Sequence, residues 1–142
     1  MEKVEMKIKK LRDDAIVPRH ALVGDVAVDL HSVEDVVIAP GDRKLIGTGL
    51  SIAFPIGYAA LVWDRSGMAK LGLKTMGGVI DPTYRGEYKI FILNTTKEDY
   101  SVSKGDRIAQ LLVQKVYSPQ IEVVEDLDDT ERGKGGFGHT GR

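Results

Sequence analysis

Apolar residues recur at every second position along most of this chain. Short runs recur between turn signals: Val36–Ala39 before Pro40-Gly41-Asp42, Lys44–Phe54 before Pro55-Ile56-Gly57, and Tyr58–Trp63. Further runs follow at Glu87–Asn94, at Tyr100–Ser103 before Lys104-Gly105-Asp106, at Arg107–Val116 and at Ile121–Val124. A period of two turns one face of each run toward a core, and many short strands at this spacing predict an all-β sandwich or barrel. Only Ser66–Leu71 reads as helix, for about one and a half turns. Core patterning stops near Leu127, so residues 1–126 are expected to form one β domain and 127–142 a solvated tail.

Composition narrows the class. A chain of 142 residues makes one domain that buries roughly two-thirds of its unfolded surface. Its 20 basic and 21 acidic residues leave a formal charge of −1, so neither nucleic acid nor a membrane surface is an expected partner. The absence of cysteine excludes disulfides and cysteine-based zinc sites. Met1–Lys7 alternates charged with apolar residues instead of forming an apolar leader, and no stretch approaches a membrane span. A cytoplasmic protein is expected.

The last eleven residues, Arg132–Arg142, hold five glycines, flanking basic side chains and one aromatic, Phe137. Glycine loses the most backbone freedom on ordering, so this stretch is expected to be flexible in the free protein. Once ordered, its N–H groups could approach a phosphate chain, Arg132 could bind in bidentate fashion and Phe137 could cover a flat ring. The alternative is a frayed terminus. Gly133, Gly135 and Gly138 spell a dinucleotide fingerprint, but an acidic run replaces the preceding strand and no helix can follow. A P-loop fails likewise, because Lys134 is followed by glycine.

Four other segments carry candidate chemistry. Asp64-Arg65-Ser66-Gly67-Met68 lies at a strand-to-helix junction, where a guanidinium, a hydroxyl and helix-start N–H groups suit an anion. Alternatively Ser66 caps a short helix and Arg65 is a surface charge. Gly77–Glu87 contains Asp81-Pro82-Thr83-Tyr84, a turn with Pro82 pre-set at its second position. Its glycines could expose backbone to a ligand, with Asp81 activating water and Tyr84 against a sugar; a plain hairpin turn capped by Asp81 is the other reading. Asp29 interrupts the alternation of Gly24–Leu30 and needs a cation, a metal-bound water or backbone N–H partners if buried. Arg107 and Gln110 interrupt another strand as network members or ligand contacts. His20, His31 and His139 show no metal-ligand spacing. The inventory suits a nucleoside triphosphate neutralised by Mg²⁺.

Taken in order from about Gly24 to Gly141, these segments and the tail resemble the trimeric deoxyuridine triphosphatases (dUTPases). The resemblance implies a jelly-roll-like β fold with one short helix, and hydrolysis of dUTP to dUMP and pyrophosphate with Mg²⁺. Such an activity keeps uracil out of DNA and supplies dUMP for dTMP synthesis. It also implies a homotrimer whose active sites are shared between subunits. Asp29, Arg65-Ser66-Gly67 and Gln110 would come from one subunit, the Gly77–Glu87 hairpin from a second and the tail from a third. By the same resemblance, Asp81 holds the attacking water and Asp29 anchors metal-bound waters. Gly78, Val79, Ile80 and Lys89 address uracil through backbone, and Tyr84 packs under the deoxyribose. Arg65, Ser66, Gly67 and Gln110 meet the phosphates, Phe137 stacks on the base, and Arg132, Gly138 and Thr140 close over the β- and γ-phosphates.

The chain departs from the family pattern at Trp63-Asp64, where a small residue or proline is usual. There Asp64 could pair with Arg65 and weaken its phosphate contact. Met68 replaces a leucine at little cost, and Thr75 carries no assigned role. The rivals are a dCTP deaminase of the same fold, which needs a glutamate where Phe91 stands, and a non-catalytic trimer that binds nucleotide or a regulator.

Overall fold

The computed structural model describes residues 2–141 and is built almost wholly of antiparallel strands. The strands are β1 (Lys7–Lys10), β2 (Val28–His31), β3 (Val36–Ile38), β4 (Arg43–Gly47), β5 (Leu50–Ala53) and β6 (Tyr58–Trp63). After helix α1 (Ser66–Lys70) come β7 (Leu73–Met76), β8 (Val79–Ile80), β9 (Lys89–Asn94), β10 (Tyr100–Val102) and β11 (Arg107–Lys115). They associate as β2–β11–β6–β8, β4–β9–β7, β1–β5 and β3–β10, a jelly-roll-like arrangement that does not close into a barrel.

Alternation decides which side chains enter the core. In β9, Ile90, Ile92 and Asn94 point inward while Lys89 and Phe91 face out. Leu30, Ile38, Ile46, Leu50, Ile52, Ile108 and Leu111 complete the fully buried centre. Each such side chain contributes about 1.5–3 kcal/mol by leaving water.

The expected strand Lys44–Phe54 is interrupted at Thr48-Gly49. Gly49 has φ +68, and a Cβ there would stand 2.9 Å from the Ala15 Cβ. Only glycine fits both the backbone angle and the contact. The expected strand Ile121–Val124 is absent: among the described residues the last bond to the body is from Val116 N–H to the Gly57 carbonyl at 2.9 Å, and Ile121–Val124 is exposed with no partner strand. Alternation alone cannot make a strand without an edge to pair with.

Asn94 is the buried polar anchor of this framework. Its Nδ2 donates to the Ile38 carbonyl at 2.9 Å and the Glu98 carbonyl at 2.7 Å, while its Oδ1 accepts from Thr96. Asn94→Ala removes both Nδ2 bonds and the acceptor for Thr96 from a buried site, and should destabilise the protein by about 1–3 kcal/mol, read by urea unfolding at fixed protein concentration.

Candidate active site

Asp29, Gln110 and Trp63 form one row across the β2–β11–β6 sheet, since Gln110 pairs in register with both of the others. Beyond Trp63 the chain turns into α1 with Arg65 at the N-cap position, its backbone extended (φ −80, ψ 139) and without a side-chain cap bond. Ser66 is therefore the first helical residue and does not act as the cap. The opening N–H groups of α1 have no intrahelical partner. Arg65 turns back over the row. Its Nε donates to Asp29 Oδ1 at 2.9 Å and its Nη1 to the Arg107 carbonyl at 3.4 Å. Arg107 Nη1 reaches Asp29 Oδ2 at 3.4 Å.

Two guanidiniums thus share one half-buried carboxylate, leaving the cluster one positive charge in excess. Opposite Arg107 in register lies His31, whose Nδ1 is buried without a partner. Burial lowers the His31 pKa despite the nearby Asp29 carboxylate, so its ring adds no charge at neutral pH. Arg65, Gly67 and Met68 face Tyr100, Val102, Asp106, Arg107 and Ile108 across a cleft of about 390 Å³.

Asp64 does not pair with Arg65. Its carboxylate accepts from Thr75 N–H at 2.7 Å, Thr75 Oγ1 at 2.6 Å and Lys74 Nζ at 2.6 Å. Burial acts to raise the Asp64 pKa, but the Lys74 and Thr75 donors outweigh it and hold the group below the usual carboxylate range. Meanwhile the Asp64 carbonyl accepts Gln110 Nε2 at 2.7 Å. The aspartate that looked like a competitor for Arg65 instead fastens the start of α1 to β7 and β11. Thr75, unassigned from sequence, is its main partner.

A second cleft, of about 360 Å³, is lined by Leu45, Val79, Ile80, Asp81, Tyr84, Glu87, Tyr88 and Lys89. No residue lines both clefts. The Asp81 carbonyl accepts Tyr84 N–H at 3.2 Å, making the expected turn, but the Asp81 carboxylate is exposed and caps nothing. It has no hydrogen-bond or ion-pair partner among the described residues. Tyr84 donates its hydroxyl to the Glu87 carbonyl at 3.0 Å, and its phenol lies over Gly86, where a Cβ would collide with it. Arg85 clamps the turn through the Pro82 and Tyr84 carbonyls at 2.6 and 3.0 Å.

Gly78 is less open than the sequence suggests. Its carbonyl accepts Val62 N–H at 2.8 Å. At φ +126, a Cβ on it would stand 2.8 Å from the Val62 carbonyl oxygen. Its first task is to let β8 approach β6, which leaves its N–H as the group a ligand could use. Val79 and Lys89 are exposed beside it and Ile80 is half-buried.

The tail makes only internal bonds among the described residues, such as Arg132 Nε to the Gly135 carbonyl at 2.9 Å. Phe137 is fully exposed, Gly138 and Thr140 lie in open turns, and Arg142 lies outside the described residues. The dUTPase family profile matches residues 13–141, nine-tenths of the chain.

The chain belongs to the dUTPase family.

A deoxyuridine 5'-triphosphate nucleotidohydrolase of Clostridioides difficile is 49% identical over 139 residues, covering 96% of this chain and 97% of that one. The Nautilia profundicola enzyme of the same name is 45% identical over 142 residues, covering 98% and 100%. Among solved structures, a Staphylococcus bacteriophage 80alpha dUTPase mutant with dUpNHpp superposes with a TM-score of 0.91 at 28% identity, covering 97% and 99%. A phage phi11 dUTPase mutant, described with a structural Mg(II) ion, gives a TM-score of 0.82 at 25% identity, covering 88% and 99%.

Within a dUTPase, Phe91 bears on the deaminase rival. It lies on the outer face of β9, opposite Leu45 on β4 and Met76 on β7. Its hydrocarbon ring can move no proton, so the deaminase reading is not favoured. Thr75 carries no legible role in the sequence because it acts through Asp64, a partner that only folding brings to it.

Proposed function

We propose that the protein hydrolyses dUTP to dUMP and pyrophosphate, with Asp81 as the base that activates the attacking water. The observation that carries this reading is the exposed Asp81 carboxylate, unbonded at the rim of the Tyr84 cleft. A carboxylate with no protein partner keeps its lone pairs for water. Asp81 takes a proton as the water oxygen bonds to the α-phosphorus. The bond from that phosphorus to the bridging oxygen breaks, and pyrophosphate leaves with its electron pair.

Charge grows on the leaving group, so donors aimed there favour the transition state over the bound substrate. Arg65, Ser66, Gly67 and the second amide hydrogen of Gln110 supply them, joined on closure by Arg132, Gly138 and Thr140. Gly78, Val79, Ile80 and Lys89 frame the uracil edge, Phe137 covers the base, and Tyr84 lies against the sugar.

Mg²⁺ keeps most of its waters and binds through one or two carboxylates plus substrate phosphates. Asp29 would hold it through water, and the bound ion would neutralise triphosphate charge.

The single chain supports a shared site. Its two clefts are separate, and its tail reaches neither. The arm between body and tail exposes Tyr117, Ile121, Val123 and Leu127, each more than four-fifths accessible. A homotrimer with sites assembled from neighbouring subunits would cover these apolar side chains. In this reading residues 1–126 comprise the β domain together with its C-terminal arm, 127–142 serve as linker and lid, and the enzyme works on the cytoplasmic nucleotide pool. Among the described residues no helix is long and apolar enough to cross a membrane.

Pyrophosphate release from dUTP, dCTP, dTTP and UTP tests the reading. Only dUTP should turn over efficiently, whereas ammonia from dCTP would overturn it. Tyr84→Ala should reduce the preference for dUTP over UTP by about tenfold or more, measured as the ratio of kcat/KM values.

A further inference from the structure

We infer that Tyr88, buried in the wall of the second cleft, is a positioning residue for sugar selection that holds the Tyr84 ring in place. The inference rests on the reading of Tyr84 as the sugar platform.

Tyr84 is held at three points. Its hydroxyl donates to the Glu87 carbonyl at 3.0 Å, and its ring lies over the bare Cα of Gly86. The third is the Tyr88 ring, with centroids 6.1 Å apart and planes inclined by 39°. A tilted pair at this separation is a favourable aromatic contact. The first two holds act at the outer end of the phenol. Without Tyr88 behind it, the ring can pivot about its side-chain torsions while keeping the hydroxyl bond.

Tyr88 itself cannot pivot. It is 1% exposed, its N–H donates to the Leu50 carbonyl at 2.7 Å, and its carbonyl accepts Thr48 N–H at 3.2 Å and Thr48 Oγ1 at 2.6 Å. The Gly49 interruption that splits β4 from β5 wraps the backbone of this residue. The ring therefore transmits the rigidity of the core to the cleft wall.

Residue 88 continues the inward positions of β9, where Ile90 and Ile92 stand. A tyrosine there carries an uncompensated burden, since its hydroxyl is buried without a partner. Burial pushes its pKa up to about 12, so it stays neutral and protonated at any working pH. An unpaired buried hydroxyl weakens the fold. What the side chain offers in return is the ring, the part that meets Tyr84.

The experiment compares kcat/KM for dUTP and UTP in four proteins: wild type, Tyr84→Ala, Tyr88→Leu and Tyr88→Phe. Tyr88→Leu should lower the dUTP/UTP ratio by about 3–10-fold. Tyr88→Phe should keep the wild-type ratio and melt at a higher temperature, because it retains the ring and removes the unpaired hydroxyl. General loosening of the fold would depress both substrates together and leave the ratio unmoved. Should the leucine protein fail to fold, Tyr88→Met, unbranched and able to fill the space, takes its place. A wild-type ratio in Tyr88→Leu or Tyr88→Met, alongside a reduced one in Tyr84→Ala, overturns the inference alone. A lost ratio in Tyr88→Phe overturns it too, because the hydroxyl would then be responsible. An unchanged ratio in Tyr84→Ala instead removes the sugar-platform reading beneath it.

Discussion

Asp81→Asn should bind dUTP as well as the parent and lose about 10²- to 10⁴-fold in kcat, the usual worth of a positioned general base. The substitution is close to isosteric. It should also be silent in stability, because the native Asp81 carboxylate bonds to no described residue. Few aspartates permit so clean a separation. Where a carboxylate caps a turn or joins an ion pair, exchanging it costs stability, and lost turnover is then ambiguous. Here the turn depends on the Asp81 carbonyl, which the variant keeps. Single-turnover kinetics with an unhydrolysable dUTP analogue as the binding control measure the two effects apart. Unchanged kcat would remove Asp81 from the base role.

Deleting residues 132–142 should leave melting temperature and oligomeric state intact and reduce kcat/KM on the order of 10²-fold. The stability half follows from the bonds, since the tail hydrogen-bonds only within itself among the described residues. The activity half follows from what closure adds: Arg132 and backbone donors on the leaving phosphates, and Phe137 over the base. One lost preorganised donor commonly costs about 10²–10³ in rate, but the intact protein spends part of that gain ordering glycine-rich backbone. A truncated protein with parental kcat/KM would show that no lid is needed.

Asp64 illustrates why some roles were not legible along the chain. Its neighbour in sequence is Arg65, so pairing between them was the natural local reading. Folding brings Thr75 and Lys74 across from β7, and they take the carboxylate instead. Asp29 shows the same thing over longer range, its partners lying 36 and 78 positions away. Chemistry confined to one turn was readable: Asp81-Pro82-Thr83-Tyr84 forms the expected turn and Arg65-Ser66-Gly67 opens the expected helix. Gly78 was read as open backbone because nothing in its segment reveals that β6 lies against it. Ile121–Val124 reads as a strand along the chain just as Tyr58–Trp63 does, yet only the latter has strands on both sides.

By itself, the sequence determined the all-β class, the strand faces and the order of the chemical segments. Side-chain period and turn residues are local properties, set by backbone sterics and by which positions must leave water. The tertiary structure alone decided the pairings: which cations hold Asp29, what Asp64 fastens, and which ring stands behind Tyr84. Those depend on strand register and on contacts between distant residues, whose closure no single segment encodes.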